Sequence, residues 1–126
     1  MKYLILIHQN PGAREQFAAM PAEAQAQARG MQAYYDLNEE LAGTGELISA
    51  EALADETTAT VLSLRTGSVV ASDGPFAASK ELLAGFYLVD VSSRERAVEI
   101  ATRIPELQAG AGSVEVRPVM DAAARA

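Results

Sequence analysis

The chain has 126 residues, about half of them apolar, and a formal net charge of −7 from 17 acidic against 10 basic residues. That length suits one domain burying roughly two thirds of its unfolded surface, placed over residues 1–120 with 121–126 as a loose tail. The acidic balance and scattered Lys and Arg speak against a direct nucleic-acid partner. The absence of cysteine excludes disulfides, thiolate nucleophiles and Cys-based zinc sites, and a lone His8 cannot build a His-rich metal centre.

"KYLILIH" at the N-terminus is a short run closed by "QNPG", and it reads as a central strand apolar on both faces. Its apolar core is too short for a signal peptide or a membrane span, so the expectation is a soluble cytoplasmic protein without membrane contact. "AREQFAAM" suits a short helix, and Pro21 suits the first turn of a longer one. Ala26, Gly30, Ala33, Tyr34, Leu37 and Leu41 follow at helical spacing and predict the sheet-facing stripe, with Gly43 and Gly45 ending the helix.

"ELISAEAL" predicts a strand, and "ATVLSLRTGSVVASD" a hairpin around Arg65-Thr66-Gly67-Ser68. After the loop "ASDGPFAASKE", "GFYLVDV" predicts a second strand apolar on both faces. Ser92 and Glu95 have capping-box spacing at the start of a further helix carrying Ala97, Ile100, Ala101 and Ile104. Pro105 closes that helix, and "AGAGSVEVRP" leads into a last strand with Val114 and Val116 inward. The order is strand, helix, strand, hairpin insert, strand, helix, strand. It predicts an α+β fold: a ferredoxin-like sheet with helices on one face and an inserted β-hairpin. The bare face would be apolar, which predicts a homodimer through the open sheet face.

The stiff Asp73-Gly74-Pro75-Phe76 turn fits the border of a small-molecule pocket. Asp73 is as well suited to capping its own turn as to acting as a base. Lys80 and Glu81 read either as a solvated pair or as ligand contacts. Tyr87 alternates with Phe86: if helices cover Phe86, the Tyr87 hydroxyl faces the open side, and otherwise it is a satisfied core residue. Of the adjacent Tyr34 and Tyr35, the stripe assigns Tyr34 inward and leaves Tyr35 as a ligand-binding candidate. His8, the group expected to titrate near neutrality, ends a strand, where an approaching Asp73 would orient its ring and form an acid-base pair.

"DGPFAASKELLAGFYLVDV", together with "MKYLILI", "MQAYYDLNEEL", "GELISAEAL" and "GSVEVRPV" in the same order, resembles the YCII-related family in its DGPF-domain branch. The resemblance covers nearly the whole chain. It implies a ferredoxin-like fold pairing as a dimeric α/β barrel, and relatives that are lyases or dehalogenating enzymes acting on small ring compounds. The family's acid-base pair, a His on the first helix and an Asp before a Pro after the second, has no match: the first helix holds Met31, Tyr34 and Tyr35, and Ile104 precedes Pro105.

Two functions follow. The first is cofactor-free proton-transfer chemistry of lyase or isomerase type, with Asp73, His8 and Tyr87 catalytic and Gly74, Pro75, Phe76, Lys80, Glu81 and Tyr35 binding the ligand. The alternative is a non-catalytic dimeric module that binds a small molecule or a protein; the resemblance links such a module to sigma-factor regulation.

Overall fold

A computed structural model describes residues 1–28, 30–74 and 81–120. Six strands and five helices follow one another as β1 (Lys2–Gln9), α1 (Pro11–Ala18), α2 (Ala22–Ala28), α3 (Met31–Thr44), β2 (Leu47–Ala52), β3 (Thr60–Arg65), β4 (Ser68–Asp73), β5 (Leu82–Asp90), α4 (Arg94–Thr102), α5 (Pro105–Gln108) and β6 (Gly112–Pro118). A 3-10 turn, Glu56–Thr58, precedes β3. Four strands form an antiparallel sheet in the order β2-β5-β1-β6, while among the described residues β3 and β4 pair only with each other. The two strands read as apolar on both faces are the two central ones.

Strand alternation divides the sheet residues between two surfaces. On one, Tyr3, Ile5 and Ile7 of β1 meet Val89, Tyr87 and Gly85 of β5 and Pro118, Val116 and Val114 of β6. Leu37 and Leu41 of α3 pack there with Ala97, Ile100, Ala101 and Ile104, and these residues form the buried core. Burying each Ile or Leu fully contributes about 1.5–3 kcal/mol, an upper figure because the unfolded chain is itself partly compact. The other surface carries Leu4, Leu6, Phe86 and Leu88 down its centre, with Ser49, Glu51, Glu115 and Arg117 as their register partners on the flanks. Those four apolar residues are only half-buried.

This pattern decides between two open readings. The alternation of Phe86 and Tyr87 is as predicted, but the helices cover Tyr87, which is buried, and leave Phe86 on the open side. Spacing gives the period of a strand and not the sign of its faces.

The helix expected to run on from Pro21 is broken. Gly30 adopts a left-handed conformation (φ 64°) and becomes the N-cap of α3 instead of part of its stripe. A Cβ at Gly30 would stand 2.6 Å from Pro105 Cβ, so only glycine lets the α2–α3 junction touch the start of α5. The later cap lies one residue beyond the expected one: Ser93 Oγ, not that of Ser92, accepts from the Arg96 N–H at 3.2 Å. The Val91 N–H still bonds to the Met1 carbonyl (2.8 Å), so the chain is tied to the sheet up to the residue before Ser92. Pro105 stops α4 as predicted and also opens α5. The hairpin turns through Thr66 (φ 47°) and Gly67 (φ 82°) between the paired Arg65 and Ser68, the two-residue loop anticipated there.

Candidate functional site

At the end of β1 the pairing with β5 shifts register between Ile7 and His8, so His8 lies opposite Leu83 while remaining opposite Ser113 of β6. Such bulges re-aim side chains near sheet ends. β6 reaches this position because residue 112 is glycine: a Cβ there would stand 1.8 Å from the His8 carbonyl oxygen. Glu81, just ahead of β5, accepts a hydrogen bond from Ser113 Oγ (2.5 Å).

A cavity of about 440 Å³ opens here, lined by His8, Leu53–Glu56, Thr58, Ala59 and Glu81–Leu83. Its far wall is held in three places. Leu53 N–H bonds to the Ala84 carbonyl at 2.8 Å, Asp55 accepts from both Thr57 N–H and Oγ1 at 2.9 Å, and Gly74 N–H bonds to the Ala59 carbonyl at 2.8 Å. The described lining is apolar at Leu53, Leu82 and Leu83. It carries the carboxylates of Asp55, Glu56 and Glu81, the imidazole of His8, and no Lys or Arg. An imidazole beside carboxylates can exchange protons with a bound molecule and hold its hydroxyl groups.

Of the residues singled out in the sequence, His8 and Glu81 come together in this cavity. Asp73 ends β4 opposite Thr60 and is exposed, away from the described lining; Gly74 packs against Ala59 and Val61 behind the wall. Tyr35 is exposed on α3, and Tyr87 is buried on the helix-covered surface. Pro75, Phe76 and Lys80 lie outside the described residues, as does the 121–126 tail. Sequence reasoning missed Ser113 and the Leu53–Ala59 turn. "DETT" has the composition of a capped turn and was a usable signal for the second. Ser113 carried none, because its neighbours depend on the register of β6.

A second polar cluster lies under the helices. Tyr34 and Tyr87 stack with ring centroids 6.4 Å apart; Tyr34 donates to Glu106 Oε2 and Tyr87 to Asn38 Oδ1. Burial, then the bond to Glu106 and its charge, push the Tyr34 phenol well above its ordinary range. Burial, followed by the Glu106 charge, pushes Tyr87 up to about 12 against the opposing effect of its bond to Asn38. Both phenols are locked in the protonated form. Nearby, Arg96 grips Glu46 through two bonds of 2.9 Å and joins α4 to the start of β2, holding the Glu46 carboxyl below its usual range.

Among the described residues, no group of three or more His, Cys, Asp or Glu is placed to hold a metal ion, and no helix is long and apolar enough to cross a membrane.

Residues 1–123 match the YCII-related domain family. A protein of Rhizobium meliloti (strain 1021), R00369, is 39% identical over 75 residues, which are 60% of this chain and 60% of that protein's own length. Among solved structures, 5-chloro-2-hydroxyhydroquinone dehydrochlorinase (TftG) from Burkholderia phenoliruptrix AC1100, in complex with 2,5-dihydroxybenzoquinone, superposes with a TM-score of 0.55 at 13% identity, covering 98% of both chains. At that identity the likeness establishes a shared fold, the ferredoxin-like α+β arrangement described above.

Proposed function

The chain belongs to the YCII-related family, and on that premise we propose that it binds a small hydroxylated ring compound in the His8–Glu81 cavity and moves a proton on it. The chemistry is of lyase or isomerase type and uses neither metal nor organic cofactor. One observation carries the reading: residues 73 positions apart, the lone imidazole and a carboxylate, line one cavity whose volume of about 440 Å³ lies in the range of small-molecule sites. The neighbour TftG, bound to a dihydroxybenzoquinone, supports the ligand class. His8 is the group that takes and returns the proton, and Glu81 holds the ligand. Gly74 acts on the cavity through its bond to the Ala59 carbonyl, with Asp73 preceding it at the end of β4, while the buried Tyr87 braces the sheet from behind. Gly74 stands behind the Ala59 wall, and Pro75, Phe76, Lys80 and Tyr35 complete the proposed ligand contacts.

The apolar centre of the open sheet surface, Leu4, Leu6, Phe86 and Leu88, supports pairing of two copies there, in a soluble cytoplasmic protein. Light scattering would show twice the chain mass, and Leu6→Glu would halve it.

The test of function is amide NMR with a panel of phenols and dihydroxybenzenes, followed by exchange of ring protons in deuterated buffer. Shifts should concentrate at His8, Ala54–Ala59 and Leu82–Leu83. His8→Gln should abolish exchange and retain binding. Shifts centred elsewhere, or exchange unchanged in His8→Gln, would overturn the reading. Binding without any exchange in the wild type would identify the chain instead as a non-catalytic ligand-binding module.

A further inference from the structure

The hydrogen bond from Ser113 to Glu81 spans two strands that never meet. Ser113 is on β6 and Glu81 immediately precedes β5, and β1 lies between them in the sheet. The bond therefore crosses the end of β1, where His8 is the register partner of Ser113. A partly exposed serine has water available to satisfy its hydroxyl. Donating to a carboxylate from across the sheet has a different consequence: it restrains a glutamate side chain that otherwise loses substantial rotamer freedom on binding a ligand.

The restrained carboxylate can only accept. Ser113 occupies one position on Oε2, and an ionised carboxylate offers about four lone-pair sites, so acceptor capacity remains toward the cavity. What satisfies it is a donor, and an O–H···O⁻ bond is among the stronger kinds available. The apolar residues Leu53, Leu82 and Leu83 in the same lining suit the ring that would carry such a hydroxyl.

We infer that Ser113 is a positioning residue for ligand binding: it aims Glu81 as the acceptor for a ring hydroxyl, so the cavity selects phenols over ring ethers of the same shape. The inference rests on the cavity being the ligand site. Ser113 touches no ligand itself and acts only through Glu81.

The experiment uses resorcinol and 1,3-dimethoxybenzene as probes, titrated into the full chain by NMR, with wild type, Ser113→Thr and Ser113→Val compared. Thr keeps the hydroxyl, and Val has the same shape without it. Wild type and Ser113→Thr should prefer resorcinol to the ether by roughly tenfold or more, and Ser113→Val should lose about tenfold in resorcinol affinity while binding the ether as before. Glu81→Gln serves as a second variant should Ser113→Val fail to fold, with the same loss expected. Unchanged resorcinol affinity in Ser113→Val, or in Glu81→Gln where that variant stands in, would overturn the role of Ser113 and leave the cavity reading standing. Equal binding of both probes by the wild type would overturn it too. Resorcinol shifts that bypass His8 and Leu82–Leu83 in the wild type would overturn the inference and the cavity reading together.

Discussion

Two polar clusters sit at different places on one sheet and differ mainly in what covers them. Tyr34, Tyr87, Asn38 and Glu106 lie beneath the helices, each phenol spending its proton on a neighbour. His8, Glu81 and Ser113 stand at an open end, with a single bond among the last two and a cavity in front. Burial raises the cost of changing a proton under the helices. At the open end, the His8 imidazole and the Glu81 carboxylate line a cavity instead of packing beneath a helix. Exposure separates the two clusters, and the more heavily hydrogen-bonded one is the covered one.

The largest expected effect strikes the open end through the backbone. Gly112→Ala places a methyl where the His8 carbonyl already is, and the cost should exceed about 4 kcal/mol, the domain of severe single substitutions. Urea unfolding would show it, or the variant would fail to accumulate folded. A cost below about 1 kcal/mol would mean that β6 does not close on β1 as described. Next comes the covered surface. Ile100→Ala removes a fully buried side chain from α4 and should cost about 2–5 kcal/mol, whereas Leu6→Ala on the half-buried surface should cost clearly less in a dilute sample. Equal costs would erase the distinction between the two surfaces.

Tyr87→Phe tests the sealed cluster and should cost about 1–3 kcal/mol by leaving Asn38 without its donor. Its pH signature is specific. The folded-state pKa of Tyr87 is raised to about 12 from an ordinary value of 10.0, so its contribution is fully present below about pH 10 and is lost as pH rises through about 12. Alkaline denaturation followed by circular dichroism should therefore be shallower in Tyr87→Phe than in the wild type. The smallest effect is His8→Gln, which should change stability by no more than about 0.5 kcal/mol while removing any proton transfer. A large loss of stability would make His8 a structural residue and remove the contrast.

Much of this arrangement was legible in the residues. "KYLILIH" and "GFYLVDV" declared themselves as central strands because they are apolar at successive positions, while Pro105 marked the end of α4 and Gly67 the β3–β4 turn through their backbone preferences. The faces were not legible: Leu4 and Leu6 are as apolar as Ile5 and Ile7, so no composition distinguishes the covered side. The register of β6 was equally hidden, and Ser113 with it. His8 stood out as a lone imidazole at a strand end, but its expected partner was Asp73. Asp73 ends the exposed β4, and among the described residues Glu81 is a carboxylate that lines the cavity with His8. Nearness in sequence to a stiff turn is a poor guide to which carboxylate a sheet gathers.

The hairpin of β3 and β4 belongs to neither surface, and this has its own kinetic meaning. Leu62, Leu64 and Val69 are exposed on it, and among the described residues its ladder touches no third strand. Isolated ribbons of two strands are marginal in water, so its amides should trade protons for deuterons long before those of β1 and β5. Opening that ribbon would leave the four-stranded body folded, so proteases would find their first cut between residues 60 and 73 and release a nicked but otherwise native protein.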